Sequence, residues 1–362
     1  MLDPEAHLGR VAIAIAAVSV SLCAVAPRDV EACGGFFSRG ASKPSLAYEQ
    51  ALILYDPSAG EEHFVREVAF RGGQSPFGFV VPTPTQPVVA KVEKSPFQAL
   101  RAAFPFEIAA PGTGFGSGHG ALGGGGGGGA GVTVLSVAKV GSFTAFVLAA
   151  DDVKGLASWL AGNGLTSTPE ADAWLAHYVR MKFYYVAMRY DPPAQAGSHK
   201  VDASVRSETI RISFPTPALY YPYFEPRRPP LPAGESVPAR LLELWVVSPA
   251  RVTPISARTV DGKMSWVSPM LEGGAGALDP RPAQEARMAL NGALAGELAT
   301  LLPPVPLVVQ TFQDQKYSRE GYGDILFAPR ETAPLTPANA EKLRPLLGIL
   351  DPALVPEMGA KP

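Results

Sequence analysis

The chain has 362 residues, a formal net charge of −2, 18% charged residues and 47% hydrophobic ones. That balance is too apolar for a disordered polyelectrolyte and leaves no basic field to hold nucleic acid. Two cysteines and five histidines are too few for a disulfide framework, and neither a metal nor another cofactor is expected.

Residues 1–32 read as an export signal. The run Val11–Ala26 carries no charge but falls short of the ~20 apolar residues of a membrane-spanning helix. It suits a signal-peptide core, and Val30-Glu31-Ala32 sets small side chains ahead of a cut between Ala32 and Cys33. The first ten residues depart from the usual positive lead, with Asp3 and Glu5 against Arg10. After cleavage Cys23 is gone and Cys33 stands alone, so no intramolecular disulfide can form. A cysteine at a signal cut is where a bacterial lipoprotein carries its lipid. Glu31 and the charged Arg28-Asp29 pair weigh against that, and a small buried residue is the plainer reading. No other uncharged run reaches membrane length, so the mature chain is expected to lack a transmembrane helix.

Residues 33–110 read as an N-terminal β-rich part. The apolar run Gln50–Tyr55 and the looser alternation His63–Phe70 flank Asp56-Pro57-Ser58-Ala59-Gly60, which supplies turn chemistry. A third strand, Phe77–Val81, stops at Pro82-Thr83-Pro84, and the three together suggest a meander. Ser95-Pro96 opens a short helix that ends near Phe104-Pro105. Residues 111–131 are nearly all glycine and read as a flexible loop, since such a stretch loses much backbone entropy and has nothing to bury. No Lys-Ser or Lys-Thr follows the glycines, so a phosphate-binding loop is not indicated.

Residues 132–330 read as an α+β part packed with the first. Val132–Val137 and Phe143–Leu148 are strands around Lys139-Val140-Gly141. Asp151 and Asp152 can cap a helix with Val153, Leu156 and Leu160 on one face, stopped by Gly162-Asn163-Gly164. Thr168-Pro169-Glu170 opens a second helix through Trp174 and Tyr178, and Lys182–Arg189 is a strand long enough to be central. In Glu208–Phe214, Ile210, Ile212 and Phe214 face one way and Thr209, Arg211 and Ser213 the other. Pro215–Pro238 is rich in proline and tyrosine and reads as an extended loop or edge segment. Leu241–Val247 resumes a strand, Pro282–Leu302 is helical in composition, and Val305–Phe312 and Asp324–Phe327 are strands. Residues 331–362 form a C-terminal helix and tail opened by Thr336-Pro337. Strands in succession with helices in pairs indicate an α+β fold, mainly antiparallel sheet, with a disordered Gly-rich loop.

No catalytic constellation emerges. His63, His119, His177 and His199 are not spaced as ligands on one element. Ser117 in Gly114-Phe115-Gly116-Ser117-Gly118 lacks glycines two before and two after it, as a nucleophile elbow requires. Cys33 with His63 would make a nucleophile pair only if the fold joined them. Asp151 and Asp152 read as helix caps rather than paired acids, and Asp314 and Asp324 as structural residues near a strand pair. The cluster Tyr220, Tyr221, Tyr223, Phe224 with Arg227 and Arg228 is the candidate binding surface, because proline-stiffened aromatics suit a protein or glycan partner. The alternative is that these rings lie over the core as a lid.

From Ala32-Cys33-Gly34-Gly35-Phe36-Phe37 onward the chain resembles the bacterial exported family known as domain of unknown function 2330. Four further stretches carry the resemblance: Phe77–Pro84, the Val140-Gly141 strand with the helix end Trp159-Leu160-x-x-Asn163-Gly164, Ile210–Pro215, and Thr311–Phe327. Together they span about residues 32–330. Members of that family often carry a second cysteine after the Phe pair, where this chain has Ser38, and some carry a C-terminal membrane helix, of which this chain shows no sign. The resemblance implies export and supplies no catalytic residue. The expectation is a periplasmic or extracellular envelope protein acting as a non-enzymatic binding or structural module. An envelope hydrolase and a module lipid-anchored through Cys33 are the alternatives.

Overall fold

A computed structural model describes residues 35–38, 45–71, 76–106, 131–190, 204–227, 240–272, 283–315, 319 and 321–330. The signal segment, Cys33, His119, His199, Arg228, the glycine run and the C-terminal helix expected above lie outside them. In chain order the described elements begin with β1 (Gly35–Ser38), β2 (Ser45–Asp56), β3 (Glu61–Arg71), β4 (Phe77–Thr83), β5 (Val88–Lys91) and α1 (Phe97–Ala103). They continue with β6 (Val132–Val140), β7 (Phe143–Ala150), α2 (Val153–Gly162), α3 (Pro169–Arg180), β8 (Tyr184–Tyr190), β9 (Ser204–Arg206), β10 (Ile210–Pro215) and β11 (Leu219–Tyr221). The last are β12 (Leu241–Ser248), β13 (Val252–Val260), β14 (Lys263–Val267), β15 (Leu271–Glu272), α4 (Ala283–Leu294), α5 (Gly296–Thr300), β16 (Val308–Asp314) and β17 (Tyr322–Pro329). The fold is β-rich, with few helices and mostly antiparallel pairing.

Three sheets form. One has the order β1-β4-β8-β7-β6 and is antiparallel throughout. It places β8 at its centre, where its apolar run belongs. The large sheet has the order β15-β16-β12-β2-β3-β10-β5, with β9 also on β3. The third is β11-β17-β13-β14. The expected meander does not close. β2 and β3 form the hairpin, but β10 and β9 take the other side of β3, and β4 pairs with β1 and β8 in the first sheet. β2 and β12 lie side by side in parallel, with Leu241 opposite Tyr48 and Val247 opposite Leu54.

Local chemistry sets α2 and α3 as the sequence suggests, whereas α1 starts at Pro96 without a side-chain cap and Ser95 donates to Glu67 instead. The Asp152 carboxylate accepts from the Gly155 N–H at 2.7 Å to cap α2, and Thr168 Oγ1 accepts from the Ala171 N–H at 3.2 Å to cap α3. The helical stretch near the C-terminus breaks between α4 and α5, where Ala295 and Gly296 have φ of 46° and 56°. Trp159 of α2 meets Phe146 edge-on at 5.1 Å, so this helix covers the first sheet from outside. β13 and β14 were not foreseen. They join through Asp261 and Gly262, both left-handed, with Val260 opposite Lys263. That is the two-residue turn Asp-Gly favours.

The large sheet has two buried faces. On one, Phe64, Phe70, Ile212, Phe214, Leu244 and Phe312 pack against the other two sheets. Phe70 lies 4.9 Å from Phe77 of the first sheet and Phe312 5.5 Å from Phe327 of the third. On the opposite face Leu52, Leu54, Val65, Trp245 and Val309 pack under α1, α4 and α5. Trp245 is fully enclosed, and its Nε1–H donates to the Phe104 carbonyl at 3.0 Å.

Candidate functional site

The proline- and tyrosine-rich segment runs inward. Tyr220, Tyr221 and Tyr223 are each 0% exposed, Phe224 is half-buried, and only Arg227 is exposed. The contact-surface reading therefore fails for the three tyrosines, and the lid reading describes them. The reason is pairing. β11 hydrogen-bonds to β17, which turns the rings into the layer between the large and third sheets. There Phe64 meets Tyr221 edge-on at 5.6 Å.

The hydroxyls enter a set of buried acids. Asp324 Oδ2 accepts from the Tyr178 and Tyr220 hydroxyls at 2.8 and 2.7 Å. Its Oδ1 accepts from the Tyr223 and Phe224 N–H groups at 2.7 and 2.8 Å. Four donors on one carboxylate hold the chain beyond Pro222 in place, and Trp174 Nε1–H adds a bond to the Phe224 carbonyl at 2.9 Å. Asp314 Oδ2 accepts from the Tyr223 hydroxyl and from Arg319 Nε, both at 2.9 Å. The Arg319 guanidinium lies 4.1 Å from the centre of the Tyr223 ring. Glu225 pairs with Arg240 at 2.5 Å, and Glu49 with Arg66 at 2.8 Å, all four side chains buried. Burial pushes the carboxyls of Glu49 and Asp324 above the usual carboxylate range, and their donors pull back. Asp314 and Asp324 thus each tie several elements of the fold together, and Asp152 is a cap.

His63 is buried, with Nδ1 2.9 Å from Ser213 Oγ across the β3–β10 pair, and desolvation keeps its imidazole below the usual range. Cys33, the other half of the expected nucleophile pair, lies outside the described residues. His177 stands edge-on to Tyr178 and Phe224 at 5.0 and 5.2 Å. Among the described residues no three His, Cys, Asp or Glu side chains converge as metal ligands, and no helix is long and apolar enough to cross a membrane.

A second polar assembly was not anticipated. On the helix-covered face of the large sheet, Gln313, Glu243, Gln50 and Glu67 stand opposite one another on β16, β12, β2 and β3. They form one row across four strands, beside the apolar row of Trp245, Leu52 and Val65. All four are at most 7% exposed. Glu243 is held by Arg101 of α1 and by the Tyr48 hydroxyl, with Gln313 Nε2 3.4 Å away. Glu67 accepts from Arg206 at 3.0 Å and from Ser95 and Thr209, each at 2.8 Å. Burial pushes the Tyr48 phenol up to about 12, so it remains a donor at neutral pH. The sequence contains these residues inside apolar runs, but nothing local shows that four distant strands align them.

No protein of curated function matches the chain. A family model matches residues 27–268, which includes the Cys-Gly-Gly-Phe-Phe start, the Phe77–Pro84 strand and the Ile210–Pro215 strand, and stops before Thr311–Phe327. With two thirds of its length covered, this chain belongs to the family described as uncharacterized proteins conserved in bacteria, domain of unknown function 2330.

Proposed function

We propose that the protein is exported, cut between Ala32 and Cys33, and acts in the bacterial envelope as a non-enzymatic binding or structural module. The uncharged run ahead of Cys33 supports export. The observation that carries the non-enzymatic reading is Asp324, whose two oxygens already accept four hydrogen bonds. A general acid or base needs an oxygen available to substrate. Here the acids nearest the tyrosine segment spend theirs on the fold, which argues against the hydrolase reading at that cluster. In this reading α2 with α3, and α4 with α5, serve as paired covers over outer sheet faces.

Intact mass of the native protein, taken separately from soluble and membrane fractions, tests the proposal. An unmodified chain beginning at Cys33 in the soluble fraction is expected. A diacylglycerol-sized addition in the membrane fraction would replace it with the anchored reading, for which Cys33 at the cut is the motive. A chain retaining Met1 would end the export proposal.

A further inference from the structure

We propose that β6 is a dimer edge, on which β6 of a second copy pairs antiparallel and joins two first sheets into one. The inference concerns assembly and goes beyond the module reading without resting on where the protein resides. β6 ends the first sheet and has no strand on its outer side among the described residues. Proteins keep open edges short, or break them with charge or proline, because unpaired N–H and C=O groups invite another chain. The other terminal strands, β1, β5, β11, β14 and β15, have between two and five residues each. β6 has nine. It contains no proline, and Lys139 is its one charge. Its Leu135 and Val137 are 37% and 55% exposed.

Register singles out a second copy as the occupant. Opposite β7, Val134 meets Leu148 and Ser136 meets Val147, so Leu135 is the extra residue of a bulge. Val132, Val134, Val137 and Lys139 stand opposite Ala150, Leu148, Phe146 and Thr144. They therefore share the face on which Trp159 of α2 meets Phe146. A two-fold axis through the bulge sets Val137 against Val134 of the second copy, Ala138 against its Thr133 and Lys139 against its Val132. Each of these pairs matches face to face, which a shift by one residue would not allow. The valines then cover each other across the seam.

Charge complementarity is the independent observation. Lys139 is exposed, touches Thr144 Oγ1 at 3.5 Å and has no acidic partner among the described residues. At the other end of the strand Asp151 and Asp152 are exposed beside Gly131. The Asp151 N–H donates to the Gly131 carbonyl at 3.4 Å, and a Cβ on Gly131 would lie 2.6 Å from Asp152 Oδ2. Antiparallel pairing brings Lys139 of each copy to this acidic end of the other, and symmetry makes the contact twice. Parallel pairing would instead set lysine beside lysine.

The test is sedimentation equilibrium of the native protein from micromolar to hundred-micromolar concentration. A monomer–dimer equilibrium is expected with no larger species, because one edge per copy closes on itself. Val137→Lys sets a charge in the seam and should weaken dimerisation at least about tenfold. That position is more than half exposed in the single chain, so the variant keeps its fold. Lys139→Glu should weaken dimerisation about tenfold by facing acid with acid, and adding Asp151→Lys to it should restore affinity to within about threefold. A monomer at every concentration, a ladder of larger oligomers, a dimer that either single variant leaves unchanged, or a double variant no tighter than Lys139→Glu would overturn the proposal. Sedimentation reads mass alone, so such a failure would leave the export reading to the fractionation experiment.

Discussion

Glu62 is the residue whose chemistry departs furthest from its surroundings. It is fully enclosed, its Oε2 accepts from the Tyr220 N–H at 2.7 Å, and its Oε1 has no partner among the described residues. Burial raises its carboxyl well above the usual range. The folded state therefore holds a proton that the unfolded chain releases near pH ~4.3. Its contribution is fully present below that value and is lost as pH rises toward the folded value. Glu62→Gln keeps an acceptor for Tyr220 without a charge to desolvate. The variant should melt higher than wild type at pH 8, with the gap closing toward pH 4, as read by thermal unfolding across pH. A parallel pair of pH profiles would refute the assignment. Such residues were poorly legible in the sequence. Glu49, Glu62 and Glu67 resemble the solvent face of a strand, and Tyr220, Tyr221 and Tyr223 resemble a surface patch among prolines. Their partners lie far along the chain, with Asp324 104 residues beyond Tyr220, and only tertiary pairing turns polar positions inward.

At the level of elements, caps and alternation were readable because their physics is local. Asp152 and Thr168 sit where the helices start, and Ile210, Ile212 and Phe214 fall on the core face of β10. The β13–β14 hairpin was missed although Asp261-Gly262 announces it. Its first strand contains Pro254, and its burial fades toward the turn, so hydrophobic alternation gives little help. Two turn glycines offer a controlled comparison. Gly141 joins β6 and β7 with φ +56°, and a Cβ there would lie 1.8 Å from the Glu208 carboxyl. That carboxylate accepts from the Ser142 N–H at 3.0 Å. Gly262 has φ +74° with open space around it. Gly262→Ala should cost only the left-handed penalty of about 1–2 kcal/mol. Gly141→Ala should cost that plus a displaced hydrogen bond to a charged group, about 3–4 kcal/mol in all. Urea midpoints of the two variants check the ranking, and equal shifts would mean that Glu208 is not held over the turn.

For the whole molecule, the informative fact is how the sheets are shared. The first sheet takes β1 and β4 from before residue 107 and β6, β7 and β8 from after residue 130. The large sheet takes β2, β3 and β5 from before and β9, β10, β12, β15 and β16 from after. Neither set of strands can bury its faces without the other. Residues 33–106 and 131–330 expressed as separate polypeptides should each be insoluble or unfolded, and should co-purify as one folded complex when made together. A cooperative thermal transition in either fragment alone would refute this. The α+β class was legible because strand and helix runs are themselves local. The assignment of strands to sheets was not, since no residue pattern distinguishes a β4 that follows β3 from one that crosses to β8.

The parallel seam between β2 and β12 brings Tyr48 beside Glu243 from 195 positions away. Pairing over such a separation forms slowly, because the intervening chain must be gathered first. A polypeptide emerging amino end first can make the β2–β3 hairpin early. Its β2 edge, with Leu52, Ile53 and Leu54 all destined for burial, then stays open until β12 arrives. An unpaired apolar edge is a template for association with other chains. The same adjacency that seals the centre of the finished sheet therefore makes the newly made chain dependent on dilution, speed or a shielding partner for most of its synthesis.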